Sequence, residues 1–169
     1  MMIPSQIRVA RFPAGVVIRI EGPGTIGESP VVHAFAGEVL RDRTQRVVVD
    51  VSGATYMDST FLGGLIRLFR RHGAAAPGGP RFAIYAPETQ RAALFGQNRL
   101  DSVLPFIDEL PGDASAGMLL QPSSPDSPEQ LARYVVECHR RLAELGGPDA
   151  PDYSRVADAI SAQLDGRRR

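Results

Sequence analysis

Three consecutive side chains, Asp58, Ser59 and Thr60, place a carboxylate and two hydroxyls just ahead of an amphipathic run with apolar residues at Leu62, Leu65, Ile66 and Phe69. That i, i+3, i+4, i+7 spacing predicts one face of a helix. Short oxygen-bearing side chains at its start can accept hydrogen bonds from the unpaired N–H groups of the first turn. The plain reading is therefore a helix cap made by Asp58 or Ser59. The functional reading is a hydroxyl held at the tip of a strand-to-helix junction, where an added phosphoryl group would bring about −1.5 to −2 charges. At an effective dielectric near 20, repulsion between such a group and Asp58 about 5–6 Å away is on the order of several kcal/mol before screening. The helix N-terminus would stabilise the phosphate, so docking of a partner could be lost while the fold is kept. A hydrolase nucleophile is disfavoured, because the elbow pattern needs glycines two residues either side of the serine and Met57 and Phe61 stand there.

Other candidates carry less. Gly22-Pro23-Gly24-Thr25-Ile26-Gly27 has neither the lysine of a phosphate loop nor the third glycine of a dinucleotide site. His33, His72 and His139 lack metal-ligand spacing and there is one cysteine, Cys138, so neither a metal nor another cofactor is expected. Arg67, Arg70, Arg71 and His72 suit the C-terminal end of a helix dipole, with an acidic partner patch as the alternative.

The junction needs elements to hold it. Val47 to Val51 is, but for Asp50, an apolar β-branched run of the kind buried on both sheet faces. Upstream, residues 7–12 and 15–20 predict an antiparallel hairpin, residues 21–27 a loop, and Ser29-Pro30 an N-cap and first residue of a helix whose inner side is Val32, Phe35, Ala36 and Leu40. Downstream, residues 73–80 predict a loop, 81–86 a strand, and 87–95 a helix with Ala92, Leu94 and Phe95 inside. A last strand over 104–107 contains Pro105, which fits a sheet edge. The order β-β-α-β-α-β-α-β implies an α/β fold, a mixed sheet of about five strands with helices packed on it.

Residues 111–127, rich in Pro, Ser, Gly and Asp, read as a linker. Ser127-Pro128-Glu129-Gln130 is a capping-box pattern. It opens a helix striped by Leu131, Tyr134, Val135, Cys138, Leu142 and Leu145 until Gly146-Gly147-Pro148. A final helix from about Asp152 groups Val156, Ile160 and Leu164. The two form an αα-hairpin whose stripes must be covered, and a homodimer through them is one solution.

The 169 residues suit one domain of about 100–150 residues plus an appendage. Nineteen basic residues, all arginine, balance nineteen acidic ones, so no bulk field favours nucleic acid or an anionic membrane. A single cysteine and the lack of a long apolar run fit a cytoplasmic protein.

Val48-Val49-Asp50-Val51-Ser52, followed by Tyr56-Met57-Asp58-Ser59-Thr60 and Leu62-Gly63, resembles the STAS domain of bacterial anti-sigma-factor antagonists over roughly residues 6 to 110. The resemblance implies a phosphorylation-controlled partner switch and not an enzyme. It makes Ser59 the phosphoacceptor, with Thr60 as the neighbouring choice. Asp58, Thr60, Phe61, Gly24 and Thr25 would form the partner-binding surface. The implied partners are an anti-sigma factor that is also a serine kinase, and a serine phosphatase; unphosphorylated Ser59 would bind the anti-sigma factor. This sequence departs from the family pattern at Phe61, where the family has glycine, and at Gly22-Pro23-Gly24-Thr25, where it has Gly-Glu-(Leu/Ile)-Asp. An exposed Phe61 would be an anchor and a buried one would be core. The alternative to a switch is a constitutive scaffold or oligomerisation module. The switch requires the Ser59 hydroxyl to be presented to an outside protein; it fails if that hydroxyl is sealed in the interior, or capped by the chain's own tail with no route for a kinase.

Overall fold

The computed structural model describes residues 3–112, 117–121 and 127–168. Residues 113–116 and 122–126 of the expected linker lie outside the described residues.

Strands β1 (Gln6–Phe12) and β2 (Gly15–Gly24) form the expected antiparallel hairpin, with Gln6 opposite Glu21 and Phe12 opposite Gly15. Helix α1 (Ser29–Arg41) leads to β3 (Arg46–Met57), and α2 (Ser59–His72) follows directly. A small hairpin of β4 (Ala75–Ala76) and β5 (Gly79–Pro80) interrupts the glycine-rich connection that composition alone reads as a loop. Strand β6 (Phe82–Tyr85), helix α3 (Glu88–Phe95) and strand β7 (Phe106–Ile107) complete the alternation. Strand β8 (Met118–Leu120) lies in the segment read as a linker; it pairs antiparallel with β1, so the sheet has six strands in the order β7-β6-β3-β2-β1-β8. The chain ends in α4 (Pro128–Glu144) and α5 (Ala150–Gly166), the expected helical hairpin.

The central strand obeys the two-residue period. Val47, Val49 and Val51 face the helices and join a core with Val32, Ala36 and Leu40 of α1 and Leu62, Leu65 and Ile66 of α2. Val48 points the other way, into a smaller cluster with Ala10 and Val17. Parallel pairing of β3 with both β2 and β6 explains why the run is apolar apart from Asp50. Strand β7 is at a sheet edge, as Pro105 requires.

Three local expectations are corrected. Residues 21–24 belong to β2: bulges after Arg19 and after Gly22, with Gly22 at φ 79°, let Pro23 stand opposite Tyr56 and Gly24 opposite Met57. Ser29 lies inside α1 and does not cap it, its hydroxyl being used elsewhere. Ala92 and Val156 are exposed, the buried positions of their helices being Phe95 and Ala157.

Truncating Leu65→Ala in this core is expected to lower the unfolding free energy in urea by about 2–5 kcal/mol. Val156→Ala on the outer side of α5 is expected to change it by less than about 0.5 kcal/mol.

Candidate functional site

The site is built where β3 ends and α2 begins. Asp58 keeps an extended backbone (φ −84°, ψ 170°), and its Oδ1 accepts the N–H of Phe61 at 2.8 Å, which caps the helix. Its Oδ2 accepts the N–H of Ile26 at 2.8 Å, and its own N–H donates to the Gly24 carbonyl at 3.0 Å. One carboxylate thus ties the 24–28 loop to the helix start. The loop is closed further by Glu28, whose carboxylate accepts both the N–H of Thr25 (2.9 Å) and its hydroxyl (2.8 Å). The earlier aspartate of the motif, Asp50, is structural: fully buried, it pairs with Arg19 across the β2–β3 ladder at 2.7 Å and accepts the Ser52 N–H at 2.9 Å.

Ser59 is the first residue of α2 and is half-buried. Its hydroxyl lies 3.0 Å from Nε2 of His139, on α4. The other ring nitrogen, Nδ1, is 2.8 Å from the carbonyl of Val135, which can only accept, so Nδ1 carries a proton. In the neutral ring Nε2 is then the acceptor, and Ser59 donates to it. His139 is 5% exposed, with the Tyr153 ring 6.0 Å away in edge contact. The hydroxyl is therefore engaged by the chain's own C-terminal hairpin, which corrects the expectation of a freely presented side chain.

The same helix covers more of α2. Tyr134 Oη sits 2.8 Å from Ser29 Oγ, and Ser29 Oγ donates to the Thr60 carbonyl at 3.3 Å. A Cβ added at Gly63 would strike the Cys138 backbone, and one at Gly64 would lie 2.5 Å from Tyr134 Oη. The two glycines are what allow the close approach. Burial pushes the Cys138 thiol up to about 11 and raises the Tyr134 phenol well above its usual range. At the rim, Arg67 lies over the Tyr134 ring at 5.0 Å and 3.8 Å from Glu137, while Arg70 pairs with Glu144 at 2.8 Å.

Of the residues expected to meet a partner, Ser59, Asp58 and Thr25 stay partly accessible. Thr60 is 4% exposed and Phe61 1%, so neither is a surface contact. Phe61 lies against Gly24, where an added Cβ would be 3.2 Å from the ring; the bulky residue and the bare one occupy each other's space, and Gly24 is buried too. Sequence reasoning missed two exposed apolar side chains flanking Asp58, Tyr56 (58% exposed) and Ile26 (40%). It also missed His139, although a signal existed: it falls four residues after Val135 and three before Leu142, on the stripe itself. The stripe of α4 is buried within the chain at Val135, Cys138 and Leu142, whereas on α5 Val156 is exposed and Ile160 and Leu164 are only partly buried.

Among the described residues no three His, Cys, Asp or Glu side chains converge as a metal site, and no helix is long and apolar enough to cross a membrane. Among solved structures, the chain is similar to the crystal structure of an anti-sigma factor antagonist from Mycobacterium paratuberculosis, with a TM-score of 0.53 at 19% identity. The two proteins share a fold. The match covers 92% of that protein and 65% of this one, leaving about a third of this chain outside it. No protein-family model matches the chain, and no curated protein does.

Two outcomes check the packing around the junction. Gly24→Ala is expected to press on the Phe61 ring and cost about 1–3 kcal/mol in urea unfolding. With Phe61→Leu added, the double variant should be more stable than the sum of the singles by at least about 0.5 kcal/mol. Separately, burial, helped by Arg67, Arg71 and His72, lowers His33 from 6.5 to about 4. Between these values the unfolded chain binds more protons than the folded one, so stability should fall as pH drops from about 6.5 to about 4. Urea midpoints across that range should lose part of this slope in His33→Gln.

Proposed function

We propose that this chain is an anti-sigma-factor antagonist working as a partner switch, with Ser59 as the residue whose modification decides docking. The observation that carries the reading is a half-buried serine at the first position of α2, directly after the Asp58 carboxylate that ties the 24–28 loop to the helix start, in a fold of the antagonist type. Phosphoryl transfer from ATP to Oγ, with ADP leaving and the hydroxyl proton released, would place about −1.5 to −2 charges beside Asp58 and at the positive end of the helix dipole. The helix end tolerates that charge. A partner surface resting on the junction does not.

Burial of Thr60 supports Ser59 as the acceptor. Tyr56 and Ile26 beside Asp58 supply the apolar contact that Phe61 does not. Five clefts among the described residues are lined by neither Ser59 nor His139, in keeping with a docking and modification site over a hydrolytic one despite the serine–histidine contact. The partners in this reading are an anti-sigma factor that is also a serine kinase, and a serine phosphatase, in the cytoplasm. A constitutive scaffold is favoured by one observation, the hairpin lying on α2.

With the cognate kinase and ATP, phosphate should map to Ser59. Ser59→Asp and Ser59→Ala should differ at least about tenfold in affinity for the anti-sigma factor, equivalent to roughly 1.4 kcal/mol. Phosphate elsewhere, or equal affinities, would favour the scaffold.

A further inference from the structure

Helix α4 occupies the side of α2 that carries Ser59. The contact is close: Gly63 and Gly64 let the Cys138 backbone and Tyr134 approach to a distance that any side chain would block. It is also polar for an interior surface. Ser59 meets His139, Ser29 meets Tyr134, and Arg67 has one buried Nη without a hydrogen-bond partner. The apolar part on α4 is limited to Val135, Val136, Cys138 and Leu142 among its buried residues. Interfaces of this mixed character resemble those between separable units more than those inside a core. Each hydroxyl and the imidazole would regain partners from water on separation; Leu142, with Leu145 and Tyr153 packed beside it, would leave the main core, whose other buried members lie outside the hairpin.

We propose that the α4–α5 hairpin is an exchangeable occupant of the α2 face: it covers Ser59, Gly63 and Gly64 when docked and yields them to a helix of an outside partner. The chemistry of that helix follows from what it replaces. Glu137 and Glu144 stand seven residues apart and meet Arg67 and Arg70, so the incoming helix carries acidic residues two turns apart beside small or polar residues that fit the glycine pair. The link to signalling rests on the reading of Ser59 given above; exchange of the hairpin does not.

Cys138 is the sole cysteine and is fully buried at this contact, which makes its thiol a reporter of undocking. In the full chain, Ellman's reagent should label Cys138 at least about ten times faster than global unfolding in the same buffer. Gly63→Ala wedges the contact from the α2 side without touching Ser59 or His139. It should speed labelling at least about tenfold more while amides of residues 46–51 keep their exchange protection. Labelling of both proteins at the rate of global unfolding would overturn the proposal and make the hairpin a permanent part of the core. Should Gly63→Ala not fold, Tyr134→Phe removes only a hydroxyl; labelling several-fold faster than wild type supports exchange, and an unchanged rate overturns it. No kinase, nucleotide or partner enters the assay, so failure of Ser59 phosphorylation would leave its outcome unaffected.

Discussion

The two oxygens of Asp58 fix the geometry on which everything at the junction depends. One holds the first turn of α2 through Phe61, the other holds the 24–28 loop through Ile26, and the backbone N–H of the same residue reaches Gly24. Two segments far apart in sequence, the 24–28 loop and the start of α2, therefore meet at one residue. Because the cap sets the helix start, it also sets where the next residue points its hydroxyl. The Phe61 ring is turned inward onto Gly24 by the same arrangement.

That placement gives Ser59 a neighbour from the end of the chain. The Val135 carbonyl orients His139 and the ring orients the hydroxyl, so a relay of two hydrogen bonds runs from the backbone of α4 to the start of α2. Such bonds each contribute on the order of 1 kcal/mol net, whereas leaving one member buried and unpaired costs more. Surface pairs such as Arg70–Glu144, both exposed, add little to holding the helices together. The attachment of the hairpin is thus set mainly by a few apolar side chains and by the closeness that two glycines permit.

Much of this was legible in the residues. The run Val47–Val51 with its flanking helical periods gives the alternation and hence the mixed sheet. Ser127 caps α4 by accepting the Gln130 N–H at 3.1 Å, as the capping pattern indicates. What could not be read depends on contacts between distant parts of the chain. A proline within Gly22-Pro23-Gly24 reads as a strand breaker, yet bulges carry the ladder past it. Three residues at Met118–Leu120 are too short for a period to show, and they become a strand because β1 offers an open edge. Ser29 looks like a cap by local chemistry, but Tyr134, 105 positions later, claims its hydroxyl. His139 has no motif around it; its importance lies in which residue faces it across the helix contact.

The two outermost strands, β8 and β7, are three and two residues long. An open sheet margin offers unpaired amides and carbonyls as a template for strands of other molecules, and brevity is one way natural sheets blunt it. The hairpin-forming strands β1 and β2, long enough to seed such cross-molecular pairing, are both flanked within the sheet. Accidental growth of the sheet from one copy to the next is therefore restricted, and recognition between proteins is left to side chains and helices.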